Sequence, residues 1–173
     1  MATDKQYDIL FDEATIAQRM DAMGEELARD IDDSWTLIAL LQGAMPFAVD
    51  LMRALAKRGI NPSLDSLWLE SYRDARESAG RVVVRADLSR SVQGRRALIL
   101  DDVFDTGRTI AFAKAHLMAK GALEARACAA VRKPPALGFP IEYVGFDAPN
   151  DFLIGYGMDD AGRYRGLPFI ARV

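Results

Sequence analysis

The chain has 173 residues, half of them hydrophobic, which suffices for one compact domain and is too few for two ordinary ones. Its formal net charge of -3 at pH 7 argues against binding of nucleic acid by broad phosphate neutralisation, but leaves room for a local basic patch. A single cysteine, Cys128, excludes an intrachain disulfide. The N-terminus has early acidic residues and no long apolar run, so we expect a cytoplasmic protein without a secretory signal or membrane span.

The first half of the chain predicts a helix, a strand and a second helix. From Glu13 to Asp30, apolar residues recur at helical spacing. The short apolar run from Trp35 to Leu41 is typical of a strand that is buried on both faces. A helix is predicted from about Pro46 to Lys57, because proline is favoured in the first turn and Gly59 follows the end.

Two further strands with a polar segment between them come next. Leu64 to Leu69 alternates apolar and polar residues, and Arg81 to Arg85 is rich in β-branched residues. The segment between them, SYRDARESAG at 71–80, predicts a mobile loop.

The second half predicts a strand, a helix and a strand at the spacing of a parallel crossover. Ala97 to Leu100 is a buried strand, Thr109 to Lys120 is a helix closed by Gly121, and Ala127 to Val131 is a further strand. The order of elements predicts an α/β fold with a mainly parallel sheet. Ligands of such sheets bind beyond the carboxyl ends of the strands, so we expect the site at Asp101 to Thr109.

The segment DDVFDTGRT at 101–109 has the features of a phosphate site. Gly107 permits a tight turn, and the N–H groups of residues 106–109 open the following helix, where they favour a phosphate dianion. Thr106 and Thr109 add hydroxyl donors, and Arg108 adds positive charge.

Three acids in the same segment, Asp101, Asp102 and Asp105, repel one another unless they serve a metal, sugar hydroxyls or a proton. A solvated acidic turn is the simpler alternative for an isolated loop of this composition. A Walker loop fits worse, because Asp102 occupies the position of its first glycine, and a calcium loop requires alternating acids and a distant glutamate.

The stretch ALILDDVFDTGRT at 97–109 resembles the signature of the type I phosphoribosyltransferase family: an apolar strand, two acids, two mostly apolar residues and Asp-Thr-Gly-x-Thr. Three other blocks resemble the hypoxanthine-guanine branch of that family in the same order. They are LLQGAMPFAVDLMRAL at 40–55, LESYRDARESAG at 69–80 and VGFDAPNDFLIGYGMDDAGRYRGLPFI at 144–170.

The resemblance implies a type I phosphoribosyltransferase fold, in which a mainly parallel central sheet is flanked by helices. It also implies a small hood built from the N-terminal segment, about 1–12, and the C-terminal segment, 135–173, within one domain that spans 1–173. A cis peptide bond that is not before proline is implied at Leu41-Gln42.

The resemblance further implies a magnesium-dependent transfer of the phosphoribosyl group of phosphoribosyl pyrophosphate to a 6-oxopurine. Asp101 and Asp102 match the acids that bracket the ribose hydroxyls, directly or through magnesium. Asp105 matches a general acid/base beside N7 of the purine. The residues implied to hold the 5′-phosphate are Asp105, Thr106, Gly107, Arg108 and Thr109.

The remaining site residues are matched one by one. Gln42, Gly43 and Arg165 match the pyrophosphate site, although Gln42 stands where the family usually has a basic residue. Ser71 and Tyr72 match the loop that closes over the site. The purine site is matched by Lys133 as the donor to O6, with Arg132 as the alternative, and by Phe152, Leu153 and Asp159, of which Asp159 also matches a second metal ligand.

The implied partners are small-molecule substrates and further copies of the chain in a homodimer or homotetramer, with no nucleic acid and no membrane. Two alternatives stay open. One is a preference for xanthine and guanine or for another purine, because the sequence does not reveal the pocket geometry. The other is a regulatory protein that uses the same fold to sense nucleotides, for which this acidic chain lacks a basic face.

Overall fold

The computed structural model of the chain describes residues 7–72, 81–136 and 139–173. The α-helices in these ranges are α1 (Glu13–Leu27), α2 (Met45–Ala56) and α3 (Arg108–Ala119). The strands are β1 (Asp8–Phe11), β2 (Trp35–Leu41), β3 (Ser63–Tyr72), β4 (Arg81–Ala86), β5 (Arg96–Phe104), β6 (Glu124–Arg132), β7 (Tyr143–Asp147), β8 (Leu153–Ile154) and β9 (Ile170–Arg172). None of the helices in the described ranges has the length and apolar content that crossing a bilayer needs.

The larger sheet has the strand order β4-β3-β2-β5-β6-β7. Its pairings from β3 to β7 are parallel, and only β4 at the edge is antiparallel. This arrangement confirms the predicted α/β class with a mainly parallel sheet. Because β2, β3, β5 and β6 run in the same direction, the segments that follow them meet at one edge of the sheet.

Two apolar cores cover the two faces of this sheet. Side chains of α1 and α2 pack with one set of alternating strand residues, among them Leu37, Ala39, Leu98 and Leu100. Side chains of α3 pack with the other set. The alternation explains why β2 and β5 are apolar along their whole buried length, since both faces of the sheet are covered.

Strand β5 is longer than the sequence predicted. The predicted strand ended at Leu100, whereas β5 continues to Phe104 in parallel register with β6, where Asp101 pairs with Ala129 and Val103 with Val131. The two acids favour a loop in the sequence, because carboxylates are uncommon in buried strands. The turn into α3 is therefore confined to residues 105–107.

A second, three-stranded antiparallel sheet joins the two ends of the chain in the order β1-β9-β8. It confirms the hood that the resemblance implied. However, β7, which lies within the segment assigned to the hood, pairs with β6 and belongs to the larger sheet. The hood shares the α1/α2 core through four buried side chains, Leu153, Tyr156, Met158 and Ile170, which fix it against the sheet.

Arg19 ties α1 to the edge of the large sheet. Its guanidinium donates to the backbone oxygens of Gly145 and Val144, each at 2.7 Å, and pairs with Glu26 at 2.8 Å. We predict that Arg19→Met lowers the free energy of unfolding by about 1.5–3 kcal/mol, because two partly buried carbonyls lose a charged donor. Urea denaturation measures the change.

The matched control is Arg29→Met in the turn that follows the same helix, where the arginine forms an exposed ion pair with Glu25. Exposed pairs contribute little, so its denaturation midpoint should stay near that of the parent chain. Equal effects of the two substitutions would contradict the anchoring role of Arg19.

Candidate functional site

Most of the predicted site residues lie at one edge of the large sheet. Residues 42–43 follow β2, the acids end β5, and residue 133 follows β6. These three strands are neighbours and parallel, so their carboxyl ends are adjacent. The fold thus brings together segments that are about 30 to 60 residues apart in sequence, as ligand sites of parallel sheets require.

Asp101 and Asp102 form a close pair of acids at the end of β5. Asp101 is only 8% exposed, and its carboxylate accepts a hydrogen bond from the Asp102 N–H at 3.1 Å. Burial raises the pKa of Asp101 well above its ordinary value, and the neighbouring charge of Asp102 raises it further. Burial also raises the pKa of Asp102. Such a pair is costly unless a cation or hydrogen-bond donors compensate it.

Two glycines allow the end of β5, the segment after β2 and the hood to lie close together around Asp102. A Cβ on Gly43 would lie 1.9 Å from Oδ2 of Asp102, so only glycine fits there. A Cβ on Gly157, from the hood, would lie 1.8 Å from the Gly43 oxygen, and Gly157 has a φ of 101°, which also favours glycine. The peptide bond Leu41-Gln42 is cis, as the resemblance implied.

Arg165 carries positive charge from the hood to this cluster. It donates to the Gly157 oxygen at 2.6 Å and pairs with Asp159 at 2.6 Å. Its charge acts on Asp102, where it opposes the rise of the pKa caused by burial. Arg165 and Asp159, which the sequence assigned to different ligands, therefore contact each other.

The three predicted metal ligands are not gathered into one cage. Asp101 and Asp102 are adjacent, whereas Asp159 is paired with Arg165 and the Gly162 N–H. Across residues 7–72, 81–136 and 139–173, no three side chains of His, Cys, Asp or Glu lie close enough together to hold a metal ion. A metal ion held by Asp101 and Asp102 would take its remaining ligands from water or from a bound molecule.

The turn from β5 to α3 exposes a row of backbone donors. Gly107 has a φ of 74° and precedes the first turn of α3. The N–H groups of residues 106–110 have no acceptor among the described residues, and the first internal bond is from Ala111 to the Gly107 oxygen. Free amides at a helix N-terminus attract an anion, so the predicted phosphate site has the donors it requires.

The side chains around this turn differ in their exposure. Thr106 and Arg108 are exposed, and Thr109 and Asp105 are half-buried. The Asp105 carboxylate has no hydrogen-bond or ion-pair partner within the part of the chain that the structure describes. It stands between the acid pair and the free amides, where a ligand that spans both would meet it.

Lys133 and Arg132 differ in what they contact. Arg132 forms a two-pronged ion pair with Asp147, at 2.7 and 3.0 Å. Lys133 is half-buried, its N–H donates to the Phe104 oxygen at 3.0 Å, and its ammonium has no partner among the described residues. Lys133 is thus the available donor beside the turn.

Phe152 and Leu153 lie at the start of β8 in the hood. The Phe152 ring is 54% exposed, which is unusual for a phenylalanine, while Leu153 is buried. Both are held by β9, since the Phe152 oxygen accepts from Val173 and Leu153 pairs with Arg172. Ser71 and Tyr72 end β3 at the same sheet edge, but their side chains and residues 73–80 lie outside the described part.

Sequence reasoning missed the contacts that hold the hood over the sheet. The Tyr156 hydroxyl donates to Asp50 on α2 at 2.9 Å, and Gly157 meets Gly43. The partners are more than 100 residues apart, so no local pattern reveals them. The only signal was the pair of glycines in GYGMDD, since two glycines around a tyrosine suggest a close backbone approach.

Comparisons with known proteins place this geometry among phosphoribosyl transferases. A family model described as a phosphoribosyl transferase domain matches residues 6–161. A hypoxanthine-guanine phosphoribosyltransferase of Mycobacterium avium is 36% identical, over 89% of this chain and 81% of its own length.

Solved structures give the same result. A hypoxanthine phosphoribosyl transferase of Trypanosoma cruzi superposes with a TM-score of 0.90 at 26% identity, covering 98% of this chain and 93% of its own. A hypoxanthine phosphoribosyltransferase of Staphylococcus aureus superposes with a TM-score of 0.87 at 27% identity, covering 96% and 90%.

The contact between Gly157 and Gly43 generates a prediction on stability. Gly157→Ala should lower the free energy of unfolding by about 1–3 kcal/mol more than Gly162→Ala, because its Cβ must displace the Gly43 backbone. Gly162 is the matched control, with a positive φ of 78° and nothing within 4 Å of its Cβ position. Chemical denaturation of both variants separates the effect of the steric clash from the effect of placing a side chain at a positive φ. Equal losses in the free energy of unfolding would argue against the close approach of Gly157 to Gly43.

Proposed function

The chain belongs to the phosphoribosyl transferase family, and we propose that it transfers the phosphoribosyl group of phosphoribosyl pyrophosphate to hypoxanthine or guanine and releases pyrophosphate. The observation that carries this proposal is the end of β5. There, a buried acid and a half-buried one, the Asp105 carboxylate without a partner among the described residues, and the free amides of residues 106–110 follow one another along about ten residues. This order matches a ligand with hydroxyls, a reacting carbon and a phosphate.

The phosphate end of the substrate lies on the free amides. A 5′-phosphate accepts hydrogen bonds from the N–H groups of residues 106–110 and from the hydroxyls of Thr106 and Thr109, and Arg108 adds charge at the rim. With the phosphate there, the ribose extends toward Asp101 and Asp102, whose carboxylates accept hydrogen bonds from its two hydroxyls. The Gly43 amide and Gln42, which follow β2 next to Asp102, and Arg165, whose charge acts on Asp102, bind the diphosphate.

The donor set of the acid pair fits magnesium. Mg²⁺ prefers carboxylate oxygens and usually takes one or two of them together with substrate phosphates, which agrees with two adjacent acids and no complete cage among the described residues. Asp101 and Asp102 would hold it, with Asp159 serving a second ion once it leaves Arg165. When bound, the metal offsets negative charge on the leaving diphosphate.

The residues of the chain stabilise the charge that develops as the diphosphate leaves. The ribose ring becomes cationic, and nearby carboxylates stabilise that state more than the neutral ground state. Asp105 lies beside N7 of the incoming purine and takes the proton that the base loses as the new bond to the ribose forms. The loop that includes Ser71 and Tyr72 is proposed to keep water from the cation.

Base selection depends on Lys133 and the hood. The ammonium of Lys133 is a donor only, so it pairs with the O6 carbonyl of a 6-oxopurine and faces a second donor when adenine is present. The exposed ring of Phe152 stacks on the purine, the Leu153 backbone meets its edge, and Asp159 borders the same pocket. The ion pair of Arg132 with Asp147 supports Lys133 rather than Arg132 as the donor.

We also propose that the chain acts in the cytoplasm as a homodimer or homotetramer. Four large apolar side chains, on α2 and on the same side of β3, are 40–47% exposed: Met45, Val49, Leu64 and Trp68. Leu64 and Trp68 pair with Leu37 and Leu41 of β2, which places them on the α2 side of the sheet. An apolar face of this kind fits a second copy of the chain, and sedimentation measures the assembly.

The direct test uses purified protein with magnesium, phosphoribosyl pyrophosphate and one base at a time. Hypoxanthine, guanine, xanthine, adenine and a pyrimidine are compared by formation of nucleotide and pyrophosphate. Turnover with hypoxanthine or guanine supports the proposal, and turnover with xanthine alone favours the other purine preference. Binding of phosphoribosyl pyrophosphate without turnover of any base would favour a nucleotide-sensing protein instead.

Asp105→Asn should lower kcat by roughly 10²-fold or more, the usual range for a lost acid/base group, while affinity for phosphoribosyl pyrophosphate stays nearly intact. The amide keeps the shape of the carboxyl group but cannot accept the proton. Steady-state kinetics with hypoxanthine measures the effect. Glu13→Gln, which removes an exposed charge on α1, is the control, and near-normal kcat in Asp105→Asn would remove Asp105 from the mechanism.

Lys133→Met should abolish most of the preference for hypoxanthine over adenine, which we expect to be roughly 10³-fold or more in kcat/KM in the parent chain. Stacking on Phe152 survives the change, whereas the contact with O6 does not. Arg132→Met is the matched control and should keep the preference. The opposite result, loss in Arg132→Met alone, would make Arg132 the donor, and retention in both would contradict this account of base selection.

A further inference from the structure

The turn that carries the free amides is flanked by two aromatic rings. The position that a Cβ of Gly107 would occupy lies 3.3 Å from Cε2 of Phe104 and 3.4 Å from Cγ of Phe139. Phe104 is buried at the end of β5, whereas Phe139 is 55% exposed. Gly107, the residue of the turn with the greatest backbone freedom, therefore lies between a buried ring and an exposed ring.

Phe139 is held in this place by the segment after β6. Its N–H donates to the oxygen of Ala136 at 3.1 Å, and Ala136 is fully buried in the α3 core. The same segment begins with Lys133, whose N–H bonds to the Phe104 oxygen. Phe139 is thus anchored to the core by residues that do not belong to the turn that it contacts.

We propose that Phe139 is a positioning residue for the phosphate, an inference that rests on the proposed function. Glycine populates positive and negative φ about equally, so Gly107 does not hold its φ of 74° by its own preference. The Phe139 ring confines Gly107 against Phe104 and thereby keeps the amides of residues 106–110 pointing at one place. Preorganised donors bind an anion more tightly, because less ordering remains to be done on binding.

The same part of the chain carries residues for both ends of the substrate. Lys133, at the start of the segment, is proposed to bind the base, and Phe139, near its end, confines the turn that binds the 5′-phosphate. One short segment therefore supports both contacts. A substitution of Phe139 should weaken binding of the 5′-phosphate alone, because the Lys133 N–H keeps its own hydrogen bond to the Phe104 oxygen.

Calorimetric titration with ribose 5-phosphate tests the inference without turnover. Phe139→Ala should weaken ribose 5-phosphate by about tenfold, and Phe139→Leu, which keeps an apolar wall, should recover most of the affinity. Magnesium pyrophosphate, which binds at the other end, should change by less than about twofold. In kinetics, the KM for phosphoribosyl pyrophosphate should rise while kcat stays nearly constant. Met118→Ala, an exposed change at the far end of α3, is the control.

Three results would overturn the inference. One is an unchanged affinity of Phe139→Ala for ribose 5-phosphate, and another is no binding of ribose 5-phosphate by the parent chain. The third is an equal loss for pyrophosphate together with a lower unfolding midpoint, which would mean a general structural role. If the parent chain transfers no base but shows the Phe139-dependent binding, the proposed function fails and the inference stands.

Discussion

The site depends on two adjacent carboxylates, one buried and one half-buried, near the end of a central strand. Asp101 and Asp102 lie where β5 would otherwise continue as an apolar strand, and burial raises the pKa of both. Neighbouring segments approach as closely as glycine allows, with Gly43 against Asp102 and Gly157 against Gly43. The positive charge of Arg165 acts on Asp102 and opposes the rise of its pKa. The site is arranged to hold negative charge that the chain alone compensates only in part.

This arrangement explains why the hood belongs to the site. The hood reaches the sheet through the core that it shares with α1 and α2, through the Tyr156 hydroxyl on Asp50, and through Gly157. It brings Arg165 to the acid pair and carries the exposed Phe152, which is proposed to stack on the base. The chain is acidic overall, yet the groups offered to an anion are backbone amides and a few cations placed at the strand ends, so net charge predicts little about this site.

Features encoded by local pattern were predicted from the sequence. Apolar runs and helical spacing located α1, β2 and α2 to within a few residues, and the turn chemistry around Gly107 located the free amides. The extension of β5 was missed because Asp101 and Asp102 resemble loop residues when pairing with β6 is unknown. Whether a segment forms a strand depends on the strand with which it pairs, and the local sequence does not show that pairing.

Contacts between distant segments could not be predicted from the sequence. The approach of Gly157 to Gly43, the ion pair of Arg165 with Asp159 and the packing of Phe139 on Gly107 each join different parts of the fold. The resemblance assigned Arg165 and Asp159 to separate ligands, and only the structure shows that they neutralise each other. Likewise, the sequence leaves Arg132 as an alternative to Lys133, and only the structure shows that Arg132 is paired with Asp147 on the neighbouring strand.

We infer that the acid pair is kept for its chemistry and not for stability. An acid whose pKa is raised in the folded state stabilises the fold only at low pH, and that contribution is lost as pH rises from the unfolded pKa through the folded one. At pH 8 without magnesium, Asp101→Asn should therefore unfold at a higher urea concentration than the parent chain, since its amide oxygen still accepts from Asp102. It should also lose most of its transferase activity. A lower unfolding midpoint, or full activity, would contradict the account.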